Sequence, residues 1–456
     1  MASGMINSPA RSKVSNEGIV VLLGCILIVA LLCYVHIKGS AILIAVCLLI
    51  FLLFYTWGCG KRELLPILLF FLPWSPLMKL YNGGISFFTI ALLIAGVICF
   101  WRGKFVLNTY QLILTALLVG LTMMAKVIHF NSIAANYLCF LAMLVLFPCV
   151  IKENQDAVDF WELTIFFACG IITAALSAQQ VAGYPNISQY ITVDSYSRIT
   201  RLSGYYGDPN FYSAHITACL AGVQLLLSQE RKRRRQIVLI VFSVLLIYCG
   251  LLSASKSFVM VTACLFLVWI PILLEKGNRG GKFGILMGLL CAGLIVLSSS
   301  VFQNLLQIVN YRFSNASSMS DFTTRRTELW SRYMNELIHN APLALLGEGY
   351  SGVNLNGRAS HNTVIQGIYQ FGVVGFPLLC IWMYLTLKNI FFSSKAKIKW
   401  KYAALMGIGV VLPWMALDIL FFDELFLLSV YAAIGIVYAS NGSREAGVSE
   451  AEGCPE

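Results

Sequence analysis

Apolar runs close to twenty residues long recur along the whole chain, at approximately 19–36, 41–57, 64–80, 84–101, 108–127, 132–151, 160–180, 210–228, 236–254, 257–274, 283–302, 361–388, 402–420 and 423–440. A helix needs about 20 apolar residues to cross the hydrocarbon of a bilayer. Inside that hydrocarbon every backbone amide must be paired internally, which only helices and closed barrels achieve, and the short alternating pattern of barrel strands is absent. The expected fold is therefore an all-α polytopic membrane protein with about 12–14 transmembrane helices. The lower end of that count allows for short runs and for the third, which Pro66, Pro73 and Pro76 interrupt. Composition agrees: 59% hydrophobic residues, 12% charged residues and a mean hydropathy of +0.79 lie far from a soluble domain.

A net charge of +11 invites a nucleic-acid reading, but the basic residues fall in short clusters between apolar runs and read as topology signals. With a cytoplasmic N-terminus, the inner connections hold Lys61/Arg62, Arg102/Lys104, Lys152, Arg231 to Arg235, Lys276/Arg279/Lys282 and Lys395 to Lys401. The positive-inside rule then leaves both termini cytoplasmic. It gives a tail at 1–18, a bundle at 19–302 with an outer stretch at about 181–209, a large extracytoplasmic loop at 303–360, helices over 361–440 and a polar tail at 441–456. The first apolar run lacks a cleavage site and reads as a retained anchor. Of the 14 cysteines, all but Cys454 lie in or beside apolar segments, and none shows a ligand spacing, so neither a structural disulfide nor a metal site is expected.

Most remaining cations sit in the two outer stretches, and four local groups there could carry chemistry. In the first, Arg198 and Arg201 precede Leu202-Ser203-Gly204-Tyr205-Tyr206-Gly207-Asp208-Pro209-Asn210. Asp208 or Asn210 can cap the helix that follows, and Pro209 suits its first turn, but capping does not account for the arginines. A guanidinium offers forked donors and a permanent charge, which suits a pyrophosphate at the membrane surface. In the second, Lys256 lies in Ser253-Ala254-Ser255-Lys256-Ser257, either a plain polar hairpin or a place where a lysine close to hydrocarbon meets an anionic headgroup.

The third group is Arg325, Arg326 and Trp330 on a loop helix. Leu329, Trp330, Tyr333, Met334, Leu337 and Ile338 recur there with a 3.6-residue rhythm, which suits either an amphipathic helix on the membrane surface or one docked on the bundle. The fourth is Leu346-Gly347-Glu348-Gly349-Tyr350, followed by Ser360-His361-Asn362. Histidine is the side chain suited to proton transfer near neutrality, His361 stands at a water-facing helix start, and Asn362 beside it could orient it. His215 and His339 rank below it. Asp418, Asp423 and Glu424 form a short turn that reads as solvated rather than as a cation or proton site.

Over roughly residues 195–375 this ordered series resembles the O-antigen ligase and O-antigen polymerase superfamily of bacterial membrane glycosyltransferases. The correspondence runs through Arg326 ahead of Leu329-Trp330, Leu346-Gly347-Glu348-Gly349, His361-Asn362, and Gly372-Val373-Val374-Gly375; the Arg201…Asp208-Pro209-Asn210 run and the serine-rich turn also match. Lys256 departs from the pattern, since many members have arginine there. The N-terminal half matches only as spanning helices. The resemblance implies an undecaprenyl-diphosphate-linked oligosaccharide donor, a glycan or lipid acceptor, metal-independent transfer without a cofactor in the bacterial cytoplasmic (inner) membrane, and a flippase and chain-length regulator of the same pathway as partners. It implies catalytic roles for His361, Arg326 and Arg201, and substrate contacts from Arg325, Lys256, Trp330, Asp208, Asn210 and Asn362. Polymerase is favoured over ligase; a lipid-linked glycan flippase or other transporter, and a non-catalytic scaffold, are the competing classes.

Overall fold

The computed structural model describes residues 16–60, 64–81, 85–103, 107–131, 133, 135–154, 159–191, 201–206, 208–275, 326–350, 354–391, 398–417 and 422–451, with scattered positions between 284 and 310. Among the described residues the chain is helical, with no strand. The helices are α1 Asn16–Lys38, α2 Ala41–Gly60, α3 Leu64–Phe71, α4 Phe87–Trp101, α5 Thr109–Ile128, α6 Ala135–Asn154, α7 Phe160–Val181 and the single turn α8 Pro185–Ser188. They continue as α9 Pro209–Gln229, α10 Arg233–Leu252, α11 Lys256–Leu274, α12 Arg326–His339, α13 Ala341–Leu346, α14 Thr363–Phe391, α15 Trp400–Val410 and α16 Phe422–Ala451. Ten of those described are long and apolar enough to cross a membrane, so the chain is an all-α polytopic membrane protein; two shorter apolar stretches, Leu64–Leu77 and Phe87–Trp101, join them.

Side-chain caps mark where helices begin. Ser86, Asn108, Asp159, Asp208, Ser255 and Asn340 each accept a backbone N–H of the first turn that follows, and at Asn108 the Gln111 side chain completes a capping box. α9 is the central element: 89% of its spanning window is buried, and α7, α10, α11, α15 and α16 surround it. α3 is buried along its whole length and crosses α7 so closely that a Cβ on Gly170 would stand 2.1 Å from the Phe70 carbonyl oxygen.

Four segments differ from the sequence expectation. The run at 64–80 is a helix only to Phe71 and a 3-10 turn over Leu72–Leu77, because Pro73 and Pro76 supply no N–H to continue the α ladder. The run at 402–420 likewise stops at Val410; Pro413 turns the chain into a 3-10 segment, Leu412–Ala416, ending in extended backbone at Leu417. That break frees the carbonyls of Met415, Ala416 and Leu417 to take partners from elsewhere. Finally, α16 runs past Asn441, where a polar tail was expected, to Ala451, and positions 303, 307 and 310, expected in the loop, are helical.

The ends of the bundle differ in chemistry. At one lie Arg102 with Glu153, Arg235 with Glu230 and over the Trp161 ring, and Lys401 with Glu275. At the other lie the 201–208 segment, the 253–256 turn, α12, α13 and the start of α14.

Candidate functional site

Four of the helices that start at this second end, α9, α11, α12 and α14, have their first turns tied to neighbouring segments. Asp208 caps α9: its Oδ1 accepts from the Asn210 backbone N at 2.8 Å and from Asn210 Nδ2 at 2.9 Å. Ser255 caps α11 and donates to Asn210 Oδ1 at 2.8 Å, which joins the starts of α9 and α11. Arg201 Nε donates to the Ser253 carbonyl at 3.1 Å, and the Leu202 N–H donates to Leu252 O at 3.0 Å, so the arginine-bearing segment is clamped to the same turn. Lys256, half-buried, is the first residue of α11.

The freed carbonyls beyond Pro413 gather the other two starts. Arg326, the first residue of α12, donates from Nη1 to Ala416 O at 3.0 Å. Asn362 Nδ2 donates to Met415 O at 3.4 Å, and Thr363 Oγ1 donates to Leu417 O at 2.6 Å. Leu417 packs on Ala214 of α9 with Phe211, Trp414 and Leu425, closing the ring between the two pairs of helix starts. Residues far apart in sequence thus form two polar clusters, Arg201, Asp208 and Asn210 with the 253–256 turn that carries Lys256, and Arg326 and Asn362 with the 415–417 carbonyls, joined through the apolar Leu417–Ala214 contact.

Two of its cations stand where helix electrostatics disfavours them. A helix N-terminus carries roughly half a positive charge, and a cation on its first turn loses some 0.3–1 kcal/mol that an acid would gain. Lys256 and Arg326 occupy such positions on α11 and α12. Convergent helix N-termini with added cations form a setting suited to an anion.

α12 holds the fourth group in place by docking. Tyr333 and Leu337 are buried with Leu343 and Tyr369, while Met334 and Ile338 of the expected apolar face are exposed, so this helix is docked on α13 and α14 through half of its apolar stripe. Trp330 Nε1 donates to Ser360 O at 2.9 Å, and the Tyr333 hydroxyl donates to Arg358 O at 2.6 Å, fixing the segment that leads into His361. His361 is half-buried with φ +51°, a left-handed conformation that costs a residue other than glycine about 1–3 kcal/mol. Asn362 uses its Oδ1 to cap α14, accepting from Val364 N at 3.0 Å and Ile365 N at 3.2 Å, and its amide on Met415. Asn362 thus caps α14 and anchors its start on the 412–417 segment.

The glycines of the two motifs meet. Gly347 and Gly372, both at φ +72°, pack so that a Cβ on Gly347 would lie 2.4 Å from the Gln370 carbonyl carbon, and one on Gly372 would lie 2.1 Å from the Leu345 carbonyl oxygen. The Glu348 N–H donates to Tyr369 O at 2.9 Å, and Asn131 Nδ2 donates to Glu348 Oε2 at 2.6 Å, so this turn seats the loop on α14 and α5.

Sequence reasoning missed Ser255 as the link between α9 and α11, and missed the 412–417 segment entirely. Pro413 within an apolar run was the available signal for the second. Arg198, Arg325 and Asp418 lie outside the described residues. Asp423 and Glu424, expected in a solvated turn, are buried, with 8% and 4% of their surface exposed. No protein-family model matches the chain, and no curated protein matches it in sequence.

Proposed function

We propose that this protein is a membrane glycosyltransferase that takes oligosaccharide units from undecaprenyl diphosphate at the extracytoplasmic face of the bacterial cytoplasmic membrane and joins them into a polysaccharide. The observation that carries the reading is the gathering of four helix starts around Arg201, Lys256, Arg326 and the strained His361. The basic connections at the opposite end favour placing that end in the cytoplasm, by the positive-inside rule.

In this reading Arg201 and Arg326, assisted by Lys256 and Arg325, hold the diphosphate. As the bond between the sugar's anomeric carbon and the carrier's phosphate oxygen breaks, its electron pair stays on the diphosphate, where fixed cations stabilise the new charge. The acceptor hydroxyl forms the new bond to that carbon and gives its proton to His361, the half-buried imidazole at the start of α14. Trp330 offers a ring edge to the sugar, and Asp208, Asn210 and Asn362 keep the helix starts in register. The donor, a glycan or lipid acceptor, the surrounding lipids, and a flippase and chain-length regulator are the partners this chemistry requires.

A transport role is the second reading, favoured by the buried Asp423, Glu424 and His215 within the bundle. The test is to reconstitute the purified protein with the lipid-diphosphate-linked repeat unit of its own glycan pathway and no other acceptor. A ladder of products supports a polymerase; absence of a ladder excludes it and leaves ligation to a separate acceptor, or transport, to be assayed.

A further inference from the structure

The first turn of α16 points two consecutive carboxyl groups into the protein. Asp423 Oδ2 accepts from Thr89 Oγ1 at 2.7 Å, and Glu424 Oε1 lies 3.0 Å from the Tyr206 hydroxyl. The other oxygen of each, Asp423 Oδ1 and Glu424 Oε2, is buried and finds no hydrogen-bond partner among the described residues. Two adjacent carboxylates in such a place are mutually repulsive and poorly solvated, and burial of that kind is relieved by a proton or a counter-ion.

Hydrogen counting at Tyr206 favours the proton. Its ring is half-buried, with the hydroxyl turned inward between Leu72 O at 2.9 Å, Ser75 Oγ at 3.2 Å and Glu424 Oε1 at 3.0 Å. Burial, with Glu424 beside it, holds this phenol well above the usual tyrosine range, so it carries one hydrogen and no charge. The Leu72 carbonyl and an ionised Glu424 can both only accept, so they compete for that single hydrogen, whereas a proton on Glu424 given to a lone pair of the phenol oxygen satisfies both contacts.

A second observation lies outside the acidic pair. His215, 1% exposed, stands edge-on to the Tyr206 ring with centroids 5.0 Å apart, and both of its ring nitrogens lack a partner among the described residues. A buried imidazole whose nitrogens find no partner among the described residues thus borders the phenol ring. Among the described residues, the other charged or titratable groups acting on the pair are Lys79, ahead of α4, and Cys139 on α6.

We infer that Asp423 and Glu424 form a proton-binding site, with one proton resident on Glu424 and donated to Tyr206, and with Asp423 ionised against Thr89. The inference does not rest on glycosyl transfer. The site ties the start of α16 to the 201–208 segment, so its protonation state reaches the residues that position Arg201.

Infrared spectroscopy of the purified protein in detergent tests this directly. At neutral pH the wild type minus Glu424→Gln difference spectrum is expected to show the carbonyl stretch of a protonated carboxylic acid, and Asp423→Asn is expected to retain that band. Tyr206→Phe, which removes only a hydroxyl, is expected to shift its frequency, and this variant carries the test if Glu424→Gln does not fold. Absence of the band, its loss in Asp423→Asn, or no shift in Tyr206→Phe overturns the assignment. A band that emerges only when sodium is replaced by N-methylglucamine also overturns it, by assigning the site to a sodium ion.

Discussion

α14 and α16 begin at the same end of the bundle, each with polar residues in its first turn, and they are built in opposite ways. At α14, Asn362 closes the helix start and leaves His361 half-exposed in a strained left-handed backbone. At α16, Asp423 and Glu424 are turned inward and closed over by Thr89 and Tyr206. The two starts sit on either side of one proline-broken segment, 412–417, whose carbonyls serve α12 and α14. In the proposed function the first start faces a substrate. The other faces only the protein, so a polar first turn does not by itself announce which role it has.

The comparison is broken most severely at the open start. Arg326→Ala removes the cation at the start of α12 and its bond to Ala416, and His361→Ala removes the imidazole; each is expected to lower repeat-unit transfer by about 100-fold or more, the scale of losing a fixed group that stabilises transition-state charge. Membrane levels should stay near wild type, read by quantitative blotting beside the product gel. Full activity in both variants would remove His361 and Arg326 from the site.

Next comes the seat of the loop. Gly372→Ala places a methyl group against the Leu345 carbonyl at a φ of +72°, and the combination of strain and overlap is expected to cost more than about 2 kcal/mol. A thermal melt in detergent should show a large fall, and transfer should fall with it because α13 and α12 lose their register on α14. If Gly372→Ala melted like wild type, the interlocked glycines would not be what holds α12 in place.

What could be read from the sequence follows the reach of the physics involved. Spanning helices declare themselves through local hydropathy, so α1, α2, α5 to α7, α9 to α11, α14 and α16 lie close to where the apolar runs put them. Asp208 as a cap and the tight turn at Ser253–Lys256 are local as well. By contrast, that Arg326 meets Ala416, or that Asn210 meets Ser255, depends on tertiary packing across long separations, and no local pattern encodes it. Asp423 and Glu424 misled for the same reason: charge next to a short turn reads as solvated, and only the burial supplied by α9, α4 and the 201–208 segment reverses that reading.

Asn362→Ala discriminates capping from chemistry. It removes an N-cap and the bond to Met415, for an expected loss of about 1–2 kcal/mol in a melt. Asn362→Asp keeps the capping oxygen and is expected to recover most of that stability. Recovery of stability without recovery of transfer would assign the amide a part in the site beyond holding α14.

The smallest effect expected is at Ser255, and it tests whether the ring of helix starts is one unit. Its hydroxyl oxygen accepts from Phe258 N as the cap of α11, while its hydrogen goes to Asn210 Oδ1. Alanine there removes both, and a cap alone is worth about 1 kcal/mol. Ser255→Thr keeps both bonds if the added methyl is accommodated, so it should sit between wild type and Ser255→Ala in the melt. Combined with Asn210→Ala, the serine variant should cost less than the sum of the two single changes, because the shared bond can be lost only once. Strict additivity would mean that α9 and α11 are capped independently, and that Lys256 is placed by its own turn rather than by the cluster around Arg201.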